Sequence, residues 1–246
     1  MAGVLTSTAP SKLVSALALG GSATVTVKYQ AVGTPDTQRI TFAWDDGTSS
    51  TIVPTVIGTA SAAHSYTSAG VNTVLATVTD ATGDSASAKF EFVVVYDPSA
   101  GFVTGGGWIN SPAGACAADA TLTGKANFGF VSKYQKGATV PTGETEFQFQ
   151  LANLNFHSSV YQWLVVSGPL AQYKGTGQIN GAGNYGFLLT ATDGQVSGGG
   201  GVDKFRIKIW DNSNGAAVYD NALGGSDDIN TANPQAIGGG SIVIHK

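Results

Sequence analysis

Phe42-Ala43-Trp44-Asp45-Asp46-Gly47-Thr48 decides the fold, together with His64-Ser65-Tyr66, Gly70 and Val74-Leu75-Ala76-Thr77-Val78-Thr79-Asp80 farther along the chain. Arg39 to Trp44 reads as a strand running into a turn, because β-branched and aromatic residues suit a half-buried pleated surface and Asp-Gly favours a tight reversal. Working outward, Thr24-Val25-Thr26-Val27-Lys28-Tyr29 alternates polar and apolar residues with period two, the mark of a strand with one buried face. Val71 to Asp80 predicts another strand, ending at the hairpin turn Ala81-Thr82-Gly83-Asp84. Ala88 to Tyr96 closes the set. Within it, Phe90-Glu91-Phe92-Val93-Val94-Val95-Tyr96 starts by alternating and becomes continuously apolar, as a strand covered on both sides would.

In order and spacing these pieces resemble the Trp-x-Asp-Gly turn, the His-x-Tyr corner and the Thr-Val-Thr-Asp strand of a polycystic-kidney-disease (PKD) repeat. The resemblance implies an immunoglobulin-like β-sandwich over residues 1–97 and a noncatalytic extracellular module. Where most such repeats carry Gly before the Asp-Gly pair, this chain carries Asp45.

The 246 residues suffice for two domains of ordinary size. Only 11% are charged while 34 are Gly, a mixture that disfavours long helices and suits short strands joined by tight turns. The expected fold class is therefore all-β. A net charge of −4 with no Lys/Arg run argues against nucleic acid, and no apolar stretch approaches the roughly 20 residues of a membrane-spanning helix. Lys12 to Leu19, followed by Gly20-Gly21-Ser22-Ala23, imitates a signal-peptide core, but Ala23 to Tyr29 continues it as an alternating strand, so it is read as part of the first domain. The lone Cys116 excludes an internal disulfide and is flanked by alanines that supply no base, so it reads as a packed or loop thiol.

Asp97-Pro98-Ser99-Ala100-Gly101 breaks the strand pattern and marks a short linker. Beyond it, residues 102–246 predict strands at Lys125–Tyr134, Thr145–Leu151, Tyr161–Val166, Gln172–Ile179, Tyr185–Ala191, Lys204–Trp210 and Ser241–His245. Phe147, Phe149 and Leu151 form one inward face, and Phe205, Ile207 and Ile209 another, as in an antiparallel sandwich or barrel with one solvated surface. Phe102–Ile109, Gly124–Val131, Leu154–Ser158 and Asp203–Asp211 resemble motifs of the C-terminal β domain that follows PKD repeats in large secreted bacterial proteins. That resemblance implies the end of a longer exported polypeptide, and hence the absence of a leader here.

Six aspartates are candidate ligands for a hard cation such as calcium: Asp45 and Asp46 in the first domain, and Asp193, Asp203, Asp211 and Asp220 beside Gly-rich turns in the second. The competing reading makes Asp46-Gly47 a turn former and Asp211–Gly215 a hairpin loop. His64, His157 and His245 lack zinc-site spacing, and no Gly-x-Ser-x-Gly elbow is present, so no catalytic residue is expected and no obligatory cofactor. The glycine runs at 105–107 and 198–201 lack a P-loop ending and read as turns or bulges. Lys204, Arg206, Lys208 and Trp210 share one strand parity and form the candidate binding face, against the alternative of a solvated strand paired with Glu144 and Glu146 of a neighbour. The expected function is a noncatalytic, extracellular or cell-surface structural or adhesion module, a spacer followed by a terminal binding or assembly domain. Its expected partners are protein or polysaccharide, or a second copy of itself. The alternative is the substrate-binding accessory region of an extracellular hydrolase.

Overall fold

The computed structural model describes residues 16–30, 37–55 and 58–246, so the start of the leader-like segment, Lys12 to Ser15, lies outside the described residues. Among the described residues almost all regular structure is β, in large antiparallel sheets, with a single 3-10 turn at Gln150–Ala152. Among the described residues no helix is long and apolar enough to cross a membrane. The chain divides between Val95 and Tyr96 into two compact units, just before the Asp97–Gly101 break.

In the first unit the strands are β1 (Leu17–Ala18), β2 (Ser22–Lys28), β3 (Arg39–Ala43), β4 (Ser49–Ile52), β5 (Thr59–Ser65), β6 (Gly70–Thr79) and β7 (Ser85–Tyr96). Five of them form one sheet in the order β1-β7-β6-β3-β4, while β2 and β5 pair separately. The period-two pattern explains the packing: Ala23, Val25 and Val27 of β2 face the same core as Ile40 and Phe42 of β3 and Val74 and Ala76 of β6. The two sheets thus close on one apolar layer, with Trp44 fully buried within it.

The second unit is built on β8 (Phe102–Ser111), β9 (Gly124–Lys133), β10 (Thr142–Phe149), β11 (Leu154–Ser167), β12 (Leu170–Ile179), β13 (Ala182–Thr192), β14 (Lys204–Asp211), β15 (Ala217–Asp220), β16 (Gln235–Ala236) and β17 (Gly239–His245). From β8 to β15 each strand pairs antiparallel with the next, and β17 adds to the outer edge of β8. The β12–β13 reversal is a two-residue Asn180-Gly181 loop with φ of 53° and 74°, the left-handed pair that matches strand twist. Phe128 of β9 stacks on Phe205 of β14 at 4.1 Å although five ladders separate their strands, so the sheet curls around its own core.

The two ends of the curled sheet meet. β16 pairs with β14, the Ile237 amide donates to the Asp203 carbonyl, the Gly238 amide donates to the Trp108 carbonyl, and the chain then enters β17. One expected strand end is corrected: β10 stops at Phe149, and Leu151 lies in the 3-10 turn with 62% of its surface exposed rather than in the core. The Asn153 backbone, at φ 47°, turns the chain back toward β11 there and ends the alternation two residues early.

Candidate functional site

At the Asp45-Asp46-Gly47 turn both carboxylates accept hydrogen bonds. Asp46 Oδ1 receives the Thr48 amide at 3.0 Å and the Thr48 hydroxyl at 2.6 Å, and Oδ2 contacts His64 Nε2 at 2.7 Å. Asp45 Oδ2 receives the Thr73 amide at 2.8 Å. His64 in turn stacks on Trp44 at 4.9 Å and meets the edge of Tyr66 at 4.7 Å, so the Trp-x-Asp-Gly and His-x-Tyr pieces pack as one cluster. Desolvation works to raise the Asp46 carboxyl, yet the Thr48 hydroxyl, the His64 ring and the Thr48 amide together hold it below the usual carboxylate value. Gly47 takes φ 84°, as an Asp-Gly turn requires, and Asp45 itself sits at φ 68°, a left-handed backbone setting uncommon for a residue other than glycine.

In the second unit, Asp193 and Asp203 are buried and face backbone amides. Asp193 Oδ1 accepts from Gln195 N at 2.9 Å and Val196 N at 3.3 Å, and its Oδ2 accepts from Ile244 N at 2.8 Å. Asp203 Oδ1 accepts from Gly194 N at 2.8 Å and Oδ2 from Ile242 N at 2.7 Å. Ile242 and Ile244 belong to β17, whose other side pairs with β8, so the two carboxylates cap amides on the free edge of that strand. With its amide nitrogen turned toward them, Gln195 donates to Asp203 Oδ1 at 2.9 Å and Asp193 Oδ1 at 3.2 Å. Asp211 holds the Ser213 amide at 2.7 Å in the exposed β14–β15 hairpin loop, and Asp220 is engaged by Arg206. Among the described residues no three of the six aspartates bring ligand atoms together.

The parity of β14 holds, but its polar face is not solvated. Arg206 is only 1% exposed. Its Nε donates to Asp220 Oδ1 at 2.9 Å and Nη2 to Asp220 Oδ2 at 2.8 Å, a bidentate fork, while Nη2 also reaches Asp227 Oδ1 at 3.1 Å and the Gly225 carbonyl at 3.2 Å. Nη1 donates to the carbonyls of Ser226 and, at 3.4 Å, Ala232. Lys208 Nζ bonds Asp227 Oδ2 at 2.5 Å. For Arg206 the expected solvated placement is corrected: the segment following β15 lies over it, and that segment's carbonyls and Asp227 saturate the guanidinium. Burial opposes the charged guanidinium, but Asp220 and Asp227 outweigh it and raise the Arg206 pKa. Lys204 and Trp210 remain half-buried. Trp210 lies over Gly186 of β13, where an added Cβ would stand 2.2 Å from the ring, and Lys174 Nζ sits 5.5 Å from the ring centroid.

Glu144 and Glu146 do not border β14 either, since β10 lies between β9 and β11. Glu146 is instead the cross-strand partner of His157, with His157 Nδ1 3.3 Å from Glu146 Oε1. Glu144, two residues back on the same face, completes a group in which one ligand atom from each residue lies within 4.8 Å of the others. Gly129, the β9 partner of Glu146, leaves the floor beside it open, and with Phe130, Val131 and the two glutamates lines a shallow depression of about 260 Å³. All three side chains are exposed. Sequence reasoning missed this group because histidine spacing along the chain says nothing about register; the available signal was the Leu151-Ala152-Asn153 turn, which sets Phe149 opposite Leu154 and hence Glu146 opposite His157.

A buried hydroxyl cluster of the unit bonds internally. Thr145 Oγ1 joins the hydroxyls of Tyr161 at 2.7 Å and Tyr173 at 2.9 Å, and Cys116 is buried beside Tyr219. Comparison with protein-family models, with curated proteins and with solved structures finds no match, so the functional reading rests on the chain's own residues and their geometry.

Proposed function

We propose that the chain is a noncatalytic structural or adhesion module of a secreted or surface bacterial protein: a PKD-like, immunoglobulin-type sandwich serving as spacer, followed by a terminal β domain for binding or assembly. One observation carries this reading. The buried charged side chains Asp193, Asp203, Arg206 and Asp220 all serve to fasten strand edges and the segment after β15. Side chains placed so work as ties within the fold, which suits a part that must hold its shape between other parts. The meeting of Trp44, Asp46, His64 and Tyr66 supports the PKD-like reading of the first unit, since the pieces that carry the resemblance pack together.

The accessory substrate-binding reading is favoured by Trp108 and Trp210, half-buried rings beside strand glycines with a lysine over each. Such rings on an outer sheet face can stack against sugar. A polysaccharide array together with sedimentation equilibrium separates the two. The module reading expects no sugar retention, with either a monomer or a defined self-associated species. Saturable retention lost in W108A or W210A would overturn it in favour of the accessory role.

A further inference from the structure

We propose that Glu144, Glu146 and His157 form a surface site for one divalent transition-metal ion of the zinc class, taken through one imidazole nitrogen and two carboxylate oxygens, with water in the remaining position. This inference goes beyond the module reading and does not depend on it.

The geometry is the first argument. Zinc holds nitrogen and oxygen ligands at about 2.0–2.2 Å, so two ligands at a tetrahedral angle stand roughly 3.4 Å apart. His157 Nδ1 and Glu146 Oε1 are already 3.3 Å apart, and the third ligand atom comes from Glu144 within a 4.8 Å spread that a small side-chain rotation closes. Both carboxylates rise from β10 at an i, i+2 spacing, and the imidazole rises from the directly opposed position of β11. Backbone hydrogen bonds on both flanks of β10 therefore fix the bases of all three side chains.

Charge is the second. Two carboxylates point toward one another, and among the described residues neither is in a salt bridge with a lysine or arginine. Like charges held side by side on a strand face oppose folding, and a bridging dication reverses the sign of that interaction. Lys133 of β9 stands on the same face, opposite Thr142 and diagonal to Glu144, and among the described residues no salt bridge joins it to either glutamate.

The donor set selects the ion. An imidazole nitrogen beside carboxylates suits zinc, nickel or copper, whereas calcium takes six to eight oxygen ligands and magnesium keeps most of its own water. Gly129 leaves open space next to Glu146, since even a Cβ built on this β9 partner would meet no atom within 4 Å. The site is exposed and has three protein ligands, so it is an open one.

Isothermal titration of the full chain with zinc chloride tests the site. One ion per chain is expected, with affinity falling about tenfold or more in H157A and in E144Q/E146Q, and calcium chloride unable to displace it. Cobalt(II) supplies a second readout: the visible bands of a low-coordinate nitrogen-oxygen site appear in the parent chain and vanish in H157A and in H157Q, which keeps a polar side chain of similar reach. Circular dichroism melts without metal should show H157A and H157Q close to the parent and E144Q/E146Q no less stable than it, because these side chains lie in solvent and the double variant removes two like charges. Unchanged zinc affinity in the variants would place the ion elsewhere, at His64 or His245, and overturn the proposal. The absence of any heat or cobalt band at millimolar metal, or preference for calcium, would overturn it equally.

Discussion

Asp203 fastens the second unit where its curled sheet meets itself, and its removal gives the sharpest test of that closure. In D203A two buried amides, those of Gly194 and Ile242, lose the carboxylate oxygens now 2.8 Å and 2.7 Å away. Hydrogen bonds to charged groups are worth about 1.5–3 kcal/mol each, and Asp203 is buried, so D203A should lose about 3–6 kcal/mol. D203N keeps the shape and one acceptor oxygen but sets an amide N–H against a backbone N–H, so its loss should fall near half of that. Urea unfolding followed by tryptophan fluorescence reads the difference. Three of the four tryptophans, Trp108, Trp163 and Trp210, lie in the second unit, whereas Trp44 reports on the first. Amide exchange adds position: Ile242 and Ile244 on β17 should lose protection before the centre of β12 does. A midpoint shift equivalent to less than about 1 kcal/mol, with Ile242 protection unchanged, would refute the edge-capping argument, since an unsatisfied buried donor costs at least that much.

Two further outcomes follow from the charged ties. R206A strips Asp220 and Asp227 of their buried partner and should cost about 3–5 kcal/mol in a thermal or urea melt, whereas the R206A/D220A pair should cost clearly less than the sum of the singles; additivity would mean the fork contributes nothing. The Asp46 carboxyl is held below its unfolded value, so its contribution to folding is complete above the usual carboxylate range and is lost as pH falls through the lowered native value. The first unit, read by Trp44 fluorescence, should therefore lose stability on acidification in the parent and much less steeply in D46N; parallel pH profiles would remove Asp46 from the acid response.

Strand parity was legible in the sequence, and what covers each strand was not. Phe205, Ile207 and Ile209 enter the core as their alternation required, and Phe147 and Phe149 do the same. Arg206 has the parity of a solvated residue and is among the largest fully buried side chains, because a segment with little period of its own, from Asn221 to Pro234, folds back over it. Period-two reasoning assigns a side chain to a face of the sheet; burial on that face depends on residues tens of positions away. The Glu144, Glu146 and His157 group escaped for a related reason. A one-residue change of register between β10 and β11 would put His157 opposite an inward residue, and the register is set by the 3-10 turn rather than by either strand.

The aspartates show that the deciding signal can stand in the sequence and point away from the chemistry the residue type suggests. Asp46, Asp80, Asp97, Asp119 and Asp211 are each followed two places later by Thr or Ser. At the first four, one carboxylate oxygen accepts both the amide and the hydroxyl of that residue, as in Asp80 with Thr82 at 3.0 and 2.7 Å and Asp119 with Thr121 at 2.9 and 2.7 Å. The Thr82, Thr121 and Ser213 hydroxyls lead in lowering the carboxyls of Asp80, Asp119 and Asp211. An Asp-x-Thr/Ser step closes a local ring that competes directly with a cation for the same lone pairs. Calcium loops need acidic or amide oxygens at alternate positions all turned to one centre, whereas here each carboxylate turns back onto its own chain. Asp193, Asp203 and Asp220 lack the Thr/Ser partner and are the ones that fold inward to reach β17 and Arg206. In a chain with only 11% charged residues, an Asp-x-Thr/Ser step thus marks surface turn formers, and none of the three buried aspartates carries one. Glu144 and Glu146 belong to neither set, which is why they and His157 are left facing one another in solvent.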